Sequence, residues 1–272
     1  MAVILGGSRD FPTFFLSKSQ TFVPPLDGNV CIHVIGGGGS GSASTSNSNS
    51  TTAAGGGGAG GYCRKNSLAV TTSSSFTVVV GAGHQPTSIL VAGGNGGNST
   101  VAGTGLSATL TANGGLGHPR GTTADSATGG SASNGDVNYT GGAGRFKKGG
   151  GAVGLTGTGN QGFDGTPSSS GVYMGGACDV VGDFWSSSLG QLAGGICGRG
   201  LYDSDGAFDD SGADAAPLAG AGGVYIGSGY HAPVGGNATI GGGGGPCIYA
   251  TGSYYGMGGR GGEGIVIFQY IP

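Results

Sequence analysis

Apolar residues gather in short blocks near the two ends of the chain, and none of these blocks has the three-and-four spacing of a helix. Residues 21–23 (TFV) stop at Pro24 and Pro25. Residues 30–35 (VCIHVI) form a continuous β-rich run, and 62–70 and 76–80 follow, joined by a turn-like Thr-Ser tract. Residues 88–92 and 107–112 come next; in the second, Ala108, Leu110 and Ala112 alternate with Thr109 and Thr111. The last apolar block is 264–271 (GIVIFQYI). No twelve-residue window keeps helical spacing without a glycine, which costs a helix interior about 1 kcal/mol. The pattern therefore predicts an all-β chain with essentially no α-helix. A C-terminal strand this apolar must pair, and the N-terminal strands are the available partners. The expected framework is an antiparallel, sandwich-like arrangement that brings the chain ends together.

From 113 to 262 the apolar blocks give way to glycine runs such as GGAGRFKKGGGAVG, GAGGVYIGSG and GGNATIGGGGGP. The domain reading is a segment over 1–19 followed by one glycine-rich domain over 20–272. Within that domain, 20–112 and 263–272 supply the strands and 113–262 a glycine bundle with variable loops. Of 272 residues, 70 are Gly and only 8% are charged. Such a composition suits a flexible linker. However, 10 Phe, 10 Tyr and many β-branched residues are more apolar than a disordered chain carries. The reading preferred here is a packed bundle of polyglycine-II helices, in which the absence of Cβ lets backbones approach until the amides of one segment bond to the next.

Charge and cysteine content narrow the classes. The net charge is −3 with ten Lys and Arg, and Arg145, Lys147 and Lys148 form the one basic cluster, so a nucleic-acid partner is not expected. No apolar run reaches the eighteen residues of a membrane span, and the N-terminus lacks the basic region and cleavage site of a secretory signal. Cys31, Cys63, Cys178, Cys197 and Cys247 are odd in number and form no CxxC pair, as expected for reduced cysteines in a protein made in a cytosol.

Candidate chemistry is sparse. Gly36, Gly38 and Gly41 spell GxGxxG after a strand, but SASTSNSNSTTAAGGGG cannot form the helix that would hold a pyrophosphate, and no acid lies between Val30 and Asp125. His33, His84, His118 and His231 all have Ser or Thr nearby, which carries no information in a chain so rich in both. No pair of carboxylates sits on regular structure, so neither catalysis nor a cofactor is expected. Asp203-Ser204-Asp205-Gly206, with Asp209 beyond it, resembles the start of a calcium loop but lacks its closing Glu. Sequons at Asn49, Asn98, Asn138 and Asn237 are what chance gives.

The large side chains are more informative. Phe163, Tyr173, Phe184, Trp185, Tyr202, Phe208, Tyr225, Tyr230, His231, Tyr249, Tyr254 and Tyr255 lie between glycine runs. A glycine core has no room for rings. Some should cap the bundle, and the others should form a binding tip, because rigid aromatics with polar ends dominate interfaces and stack on sugars.

In order and spacing, FVPPLDGNVCIHVIGGGG (22–39), GGGGAGGYCRKNSLAV (55–70), FTVVVGAG (76–83) and the closing GGRGGEGIVIFQYI resemble the glycine-rich tip adhesins and distal fibre proteins of tailed bacteriophages. The resemblance implies a non-enzymatic virion protein at a tail-fibre or tail tip. Its loops would bind a bacterial surface glycan or an outer-membrane protein, and it would be present in several copies per particle, a trimer being one candidate assembly. This chain departs from that family in lacking a long N-terminal attachment domain, which leaves 1–19 for docking onto another virion protein, with Phe11, Phe14, Phe15 and Leu16 as candidate contacts. The alternative expectation is a capsid or tail decoration protein without receptor binding; a polysaccharide-cleaving enzyme comes third.

Overall fold

The structure, a computed structural model, describes residues 2–4, 11–45, 54–87, 91–120, 127–146, 150–164, 173–174, 201–203, 220–221, 224–226, 235–245, 247–249 and 256–272. Among these residues there is no helix, and the strands form the expected all-β framework. The larger antiparallel sheet holds β1 (Ala2–Ile4), β2 (Thr13–Leu16), β4 (Gly28–Ile35), β6 (Tyr62–Val70), β11 (Val137–Tyr139) and β17 (Ile265–Ile271), in the order β1-β2-β17-β4-β6-β11. The smaller holds β3 (Gln20–Phe22), β7 (Phe76–Val79), β8 (Ser99–Gly103), β9 (Leu110–Ala112) and β10 (Ala132–Ser133), in the order β10-β9-β8-β7-β3.

The C-terminal strand pairs as its apolar character requires. Residue by residue, β17 lies between β4 and β2, with Phe268 opposite Ile32 on one side and Phe14 on the other. The two sheets close on a single core built from alternate residues: Val30, Ile32 and Val34 of β4 meet Phe76 and Val78 of β7 and Val101 of β8. Phe268 is its aromatic centre, with ring centroids 4.4 Å from Phe22 and 5.3 Å from Phe76. The opposite face of β4 is also covered, because Ile35 joins Tyr62, Val153, Leu155 and Ile267 in a second cluster. Burial on both faces explains why 30–35 reads as a continuous run rather than an alternating one. β6 carries an extra residue between Leu68 and Lys65, the partners of Val30 and Ile32, and the Asn66 amide there donates to Asp136 at 2.8 Å, where Lys65 also pairs at 2.7 Å.

Two expectations are corrected here. Of the strand expected over 88–92, Val91 and Ala92 belong to no strand and residues 88–90 lie outside the described set; the next strand among the described residues is β8. The run 107–112 forms a strand only over β9.

Above the sandwich the chain leaves β4 as residues 36–43 and returns to β6 as 54–61, and these two segments lie at the centre of the glycine bundle. Amide donors in the first segment cycle with a period of three. Gly36, Gly39 and Ser42 donate to Gly61, Gly58 and Gly55; Gly37, Ser40 and Ala43 donate to Gly97, Gly94 and Val91; Gly38 and Gly41 donate to Gly262 and Gly259, all at 2.8–3.3 Å. These partners run antiparallel to it. Its carbonyls accept from parallel segments: Gly37 and Ser40 from Gly115 and His118, Gly39 and Ser42 from Gly244 and Cys247, and Gly38 from His84. One segment therefore has six neighbours. The second segment repeats the rule, donating in turn to segments at 142–145, 241–244 and 113–116.

Such contact leaves no space for Cβ. A Cβ built on Gly38 would fall on the Gly242 carbonyl, on Gly57 on that of Gly39, and on Gly243 on that of Gly57, each well inside 3.0 Å. Glycine is thus the core residue here, and the backbone amides, which would cost about 1–3 kcal/mol each if buried unpaired, are its cohesion. At Gly241 the chain turns with φ +64, a conformation that also favours glycine.

Candidate functional site

The glycine segments run between the sandwich and one opposite end of the bundle. Residues 36–43, 81–87, 113–118 and 140–146 lead away from β4, β7, β9 and β11, and 54–61, 91–98, 127–131 and 256–264 lead back to β6, β8, β10 and β17. The outgoing segments therefore end, and the returning ones begin, at the distal end.

That end carries its own sheet. β14 (Leu201–Asp203), β15 (Val224–Ile226), β16 (Cys247–Tyr249) and β5 (Ala43–Thr45) are parallel, in the order β14-β15-β16-β5, and β5 is the direct continuation of the central glycine segment. The polar stretch from Ser42 onward thus begins by extending the segment and continues as a strand to Thr45. In register, Tyr202 of β14 stands beside Tyr225 of β15, followed by Ile248 and Ser44. Asp203, Ile226, Tyr249 and Thr45 make the next row.

Other candidates divide clearly. Phe163 in β12 (Phe163–Asp164) and Tyr173 in β13 (Tyr173–Met174) share a two-stranded ribbon, Phe163 opposite Met174 and Asp164 opposite Tyr173. Phe184, Trp185, Phe208, Tyr230, His231, Tyr254 and Tyr255 lie outside the described residues, as do Asp205 and Asp209 of the calcium candidate, whereas Asp203 ends β14. The parallel sheet itself was not anticipated. Its signal is three tripeptides, LYD, VYI and CIY, each a short apolar-tyrosine block near a glycine run.

The proposed attachment residues require correction. Phe14 and Leu16 are 3% and 0% exposed and belong to the sandwich core, because β2 pairs with β17. Phe15 is half-buried against the second cluster, and Phe11 alone of the four is exposed, at 47%. The N-terminal segment is therefore in part a strand of the domain.

The structure also pairs histidines with hydroxyls that sequence proximity could not select. Ser40 Oγ lies 2.9 Å from His84 Nδ1 and accepts the Gly94 amide at 3.0 Å; Ser42 Oγ lies 3.2 Å from His118 Nδ1 and accepts the Gly55 amide at 3.1 Å. Both serines are fully buried, and both serve as amide acceptors for neighbouring segments. In the sandwich, His33 Nδ1 shares a 2.8 Å hydrogen bond with the Tyr62 hydroxyl, and Cys31 Sγ lies 3.3 Å from Nε2. Burial, reinforced by the Arg64 charge, lowers the His33 pKa to about 3, so the ring is neutral. Burial likewise raises the Tyr62 hydroxyl and pushes the thiols of Cys31, Cys63 and Cys247 up to about 11, 12 and 12. All three thiols are buried and none is in a disulfide, consistent with packing rather than nucleophilic chemistry.

Sandwich, glycine bundle and distal sheet together define an all-β glycine-rich domain in which short strands close both ends of an amide-bonded bundle. The chain belongs to the glycine-rich domain family, whose model matches residues 16–271. A comparison with curated proteins finds no match.

Proposed function

We propose that this chain is a non-enzymatic bacteriophage protein of a tail-fibre or tail tip, made in the host cytoplasm, that binds a host-cell surface receptor with the distal end of its bundle. The segments are read as polyglycine-II helices forming a stiff post; the period of three in donor direction supports this, since that helix has three residues per turn and no internal hydrogen bonds. The observation that carries the functional reading is the polarity of the molecule. One pole is a closed sandwich, and the outgoing glycine segments end and the returning ones begin at the other. Loops held at fixed spacing on a rigid post lose little entropy on binding, and several copies per particle add avidity. Docking onto another virion protein falls to the sandwich pole, where Phe11 is exposed.

Purified protein should bind host cells and block adsorption of the phage that carries it. Failure to bind any host fraction, together with a position on the capsid shell, would replace this reading with that of a decoration protein.

A further inference from the structure

We propose that the molecule carries a self-association surface, the outer face of the smaller sheet together with the bundle segments that prolong it, and that a second copy of this chain packs on it face to face. The sheet order β7-β8-β9-β10 continues into the bundle. Residues 81–87, 91–98, 113–118 and 127–131 adjoin those strands and bond to one another in the same order, the amides of Gly97, Gly96 and Leu116 donating to Ala82, Gly115 and Thr128 at 2.7–3.0 Å. One side of this layer is turned inward: Phe76, Val78, Val101, Leu110 and Ala112 fill the sandwich core, and the central glycine segments lie behind the rest. The other side faces solvent. Val79, Thr100, Thr111 and Ser133 form one row across four strands, and Asn95, Asn98, Leu116, Thr128 and Ser131 continue the face along the bundle, where all five are exposed. On the larger sheet, by contrast, Val153 and Leu155 of the chain itself pack over the outer face.

Charge and area both fit this face to its own copy. None of residues 20–22, 76–87, 91–103, 110–118 and 127–133 is Lys, Arg, Asp or Glu, so an isologous contact sets no like charges against each other. His84 and His118 bond to the buried Ser40 and Ser42, and the exposed Lys18 and Arg120 stand at the margins. Residues 110–118 span about 30 Å, at roughly 3.4 Å per residue in the strand and 3.1 Å along the bundle, and five strands spaced about 4.8 Å apart span about 20 Å. Two copies would therefore bury on the order of 1,200 Å² in total, the lower end of what specific complexes bury. No aromatic side chain stands on the face to anchor a different partner, since Phe22 and Phe76 belong to the core.

Sedimentation velocity of the full chain over a range of concentrations tests the proposal. The expected result is a concentration-dependent dimer. Leu116→Lys and Thr111→Lys each set a charge against the partner face and should raise the dimer dissociation constant at least about tenfold, with the circular dichroism spectrum of the parent retained. Ser73→Lys, in the turn between β6 and β7, should leave it unchanged. If one of the two face variants loses its fold, the other carries the test. A parent that is monomeric at every concentration overturns the proposal, and so does a trimer, because a face that meets itself closes at two. A dimer that both face variants retain at parental affinity also overturns it, since the contact then lies elsewhere.

Discussion

The side-chain oxygen of Asn98 accepts the Gly114 amide at 2.9 Å, and three residues earlier Asn95 does the same for Gly117, also at 2.9 Å. Inside the bundle those amides would bond to another segment's carbonyls. At its edge no further segment is present among the described residues, and asparagines repeating at the bundle's own period of three take its place.

Removing these acceptors should cost stability unequally. Gly117 is buried and Gly114 half-buried, so water replaces the Asn98 bond more readily than the Asn95 bond. Asn95→Ala should cost about 1–2 kcal/mol and Asn98→Ala less, as read from denaturant midpoints. Equal and negligible losses would show that the edge amides are satisfied some other way.

If glycine is the core, its replacements should sort by backbone proximity rather than by sequence context. Gly243→Val, which meets the Gly57 carbonyl, should cost more than about 4 kcal/mol or abolish folding. Gly157→Ala, where a Cβ meets nothing within 4 Å, should stay within about 0.5 kcal/mol. Circular dichroism and thermal melting of the two variants decide the matter; similar behaviour would mean that the tract is a tether.

The buried histidine gives the stability a pH dependence. The folded-state pKa of His33, about 3, lies below its ordinary 6.5, so its contribution to stability is complete above pH 6.5 and is lost as pH falls from there toward 3. Relative to His33→Gln, the parent protein should lose about 1.4 kcal/mol per pH unit across that window. Parallel unfolding curves for the two proteins between pH 6 and 4 would contradict the assignment.

The aromatic residues of the N-terminal segment should separate into two roles. Phe14→Ala opens the sandwich core and should cost about 3–5 kcal/mol, whereas Phe11→Ala should leave melting nearly unchanged and reduce incorporation of the chain into particles. Normal incorporation of Phe11→Ala would move the docking contact elsewhere.

The framework was legible because its signals are local. The run 30–35 and the closing GIVIFQYI are apolar enough that each needs a partner on both sides, and each has one. β2 was misread because Phe14, Phe15 and Leu16 follow polar and glycine residues and, taken alone, look like an exposed hook; only β17 at the opposite terminus shows what they pair with. The distal parallel sheet was illegible for a related reason. Its strands are three residues long, and the pairing of β16 with β5 continues the register of the segments 241–245 and 36–43 before them, a long-range property that the tripeptides do not encode. The same holds for Ser40 with His84 and Ser42 with His118, which meet only because segments 44 and 76 residues apart in sequence become neighbours in the bundle.

The central claim is that the molecule is a polar post with its sandwich toward the particle and its distal loops toward the host. Electron microscopy of particles labelled at the sandwich pole, through a tag after Pro272, and separately in the connection between residues 45 and 54, tests it directly. The account predicts both labels at the tail tip, with the 45–54 label outermost; labels on the capsid shell, or the Pro272 label outermost, would contradict it.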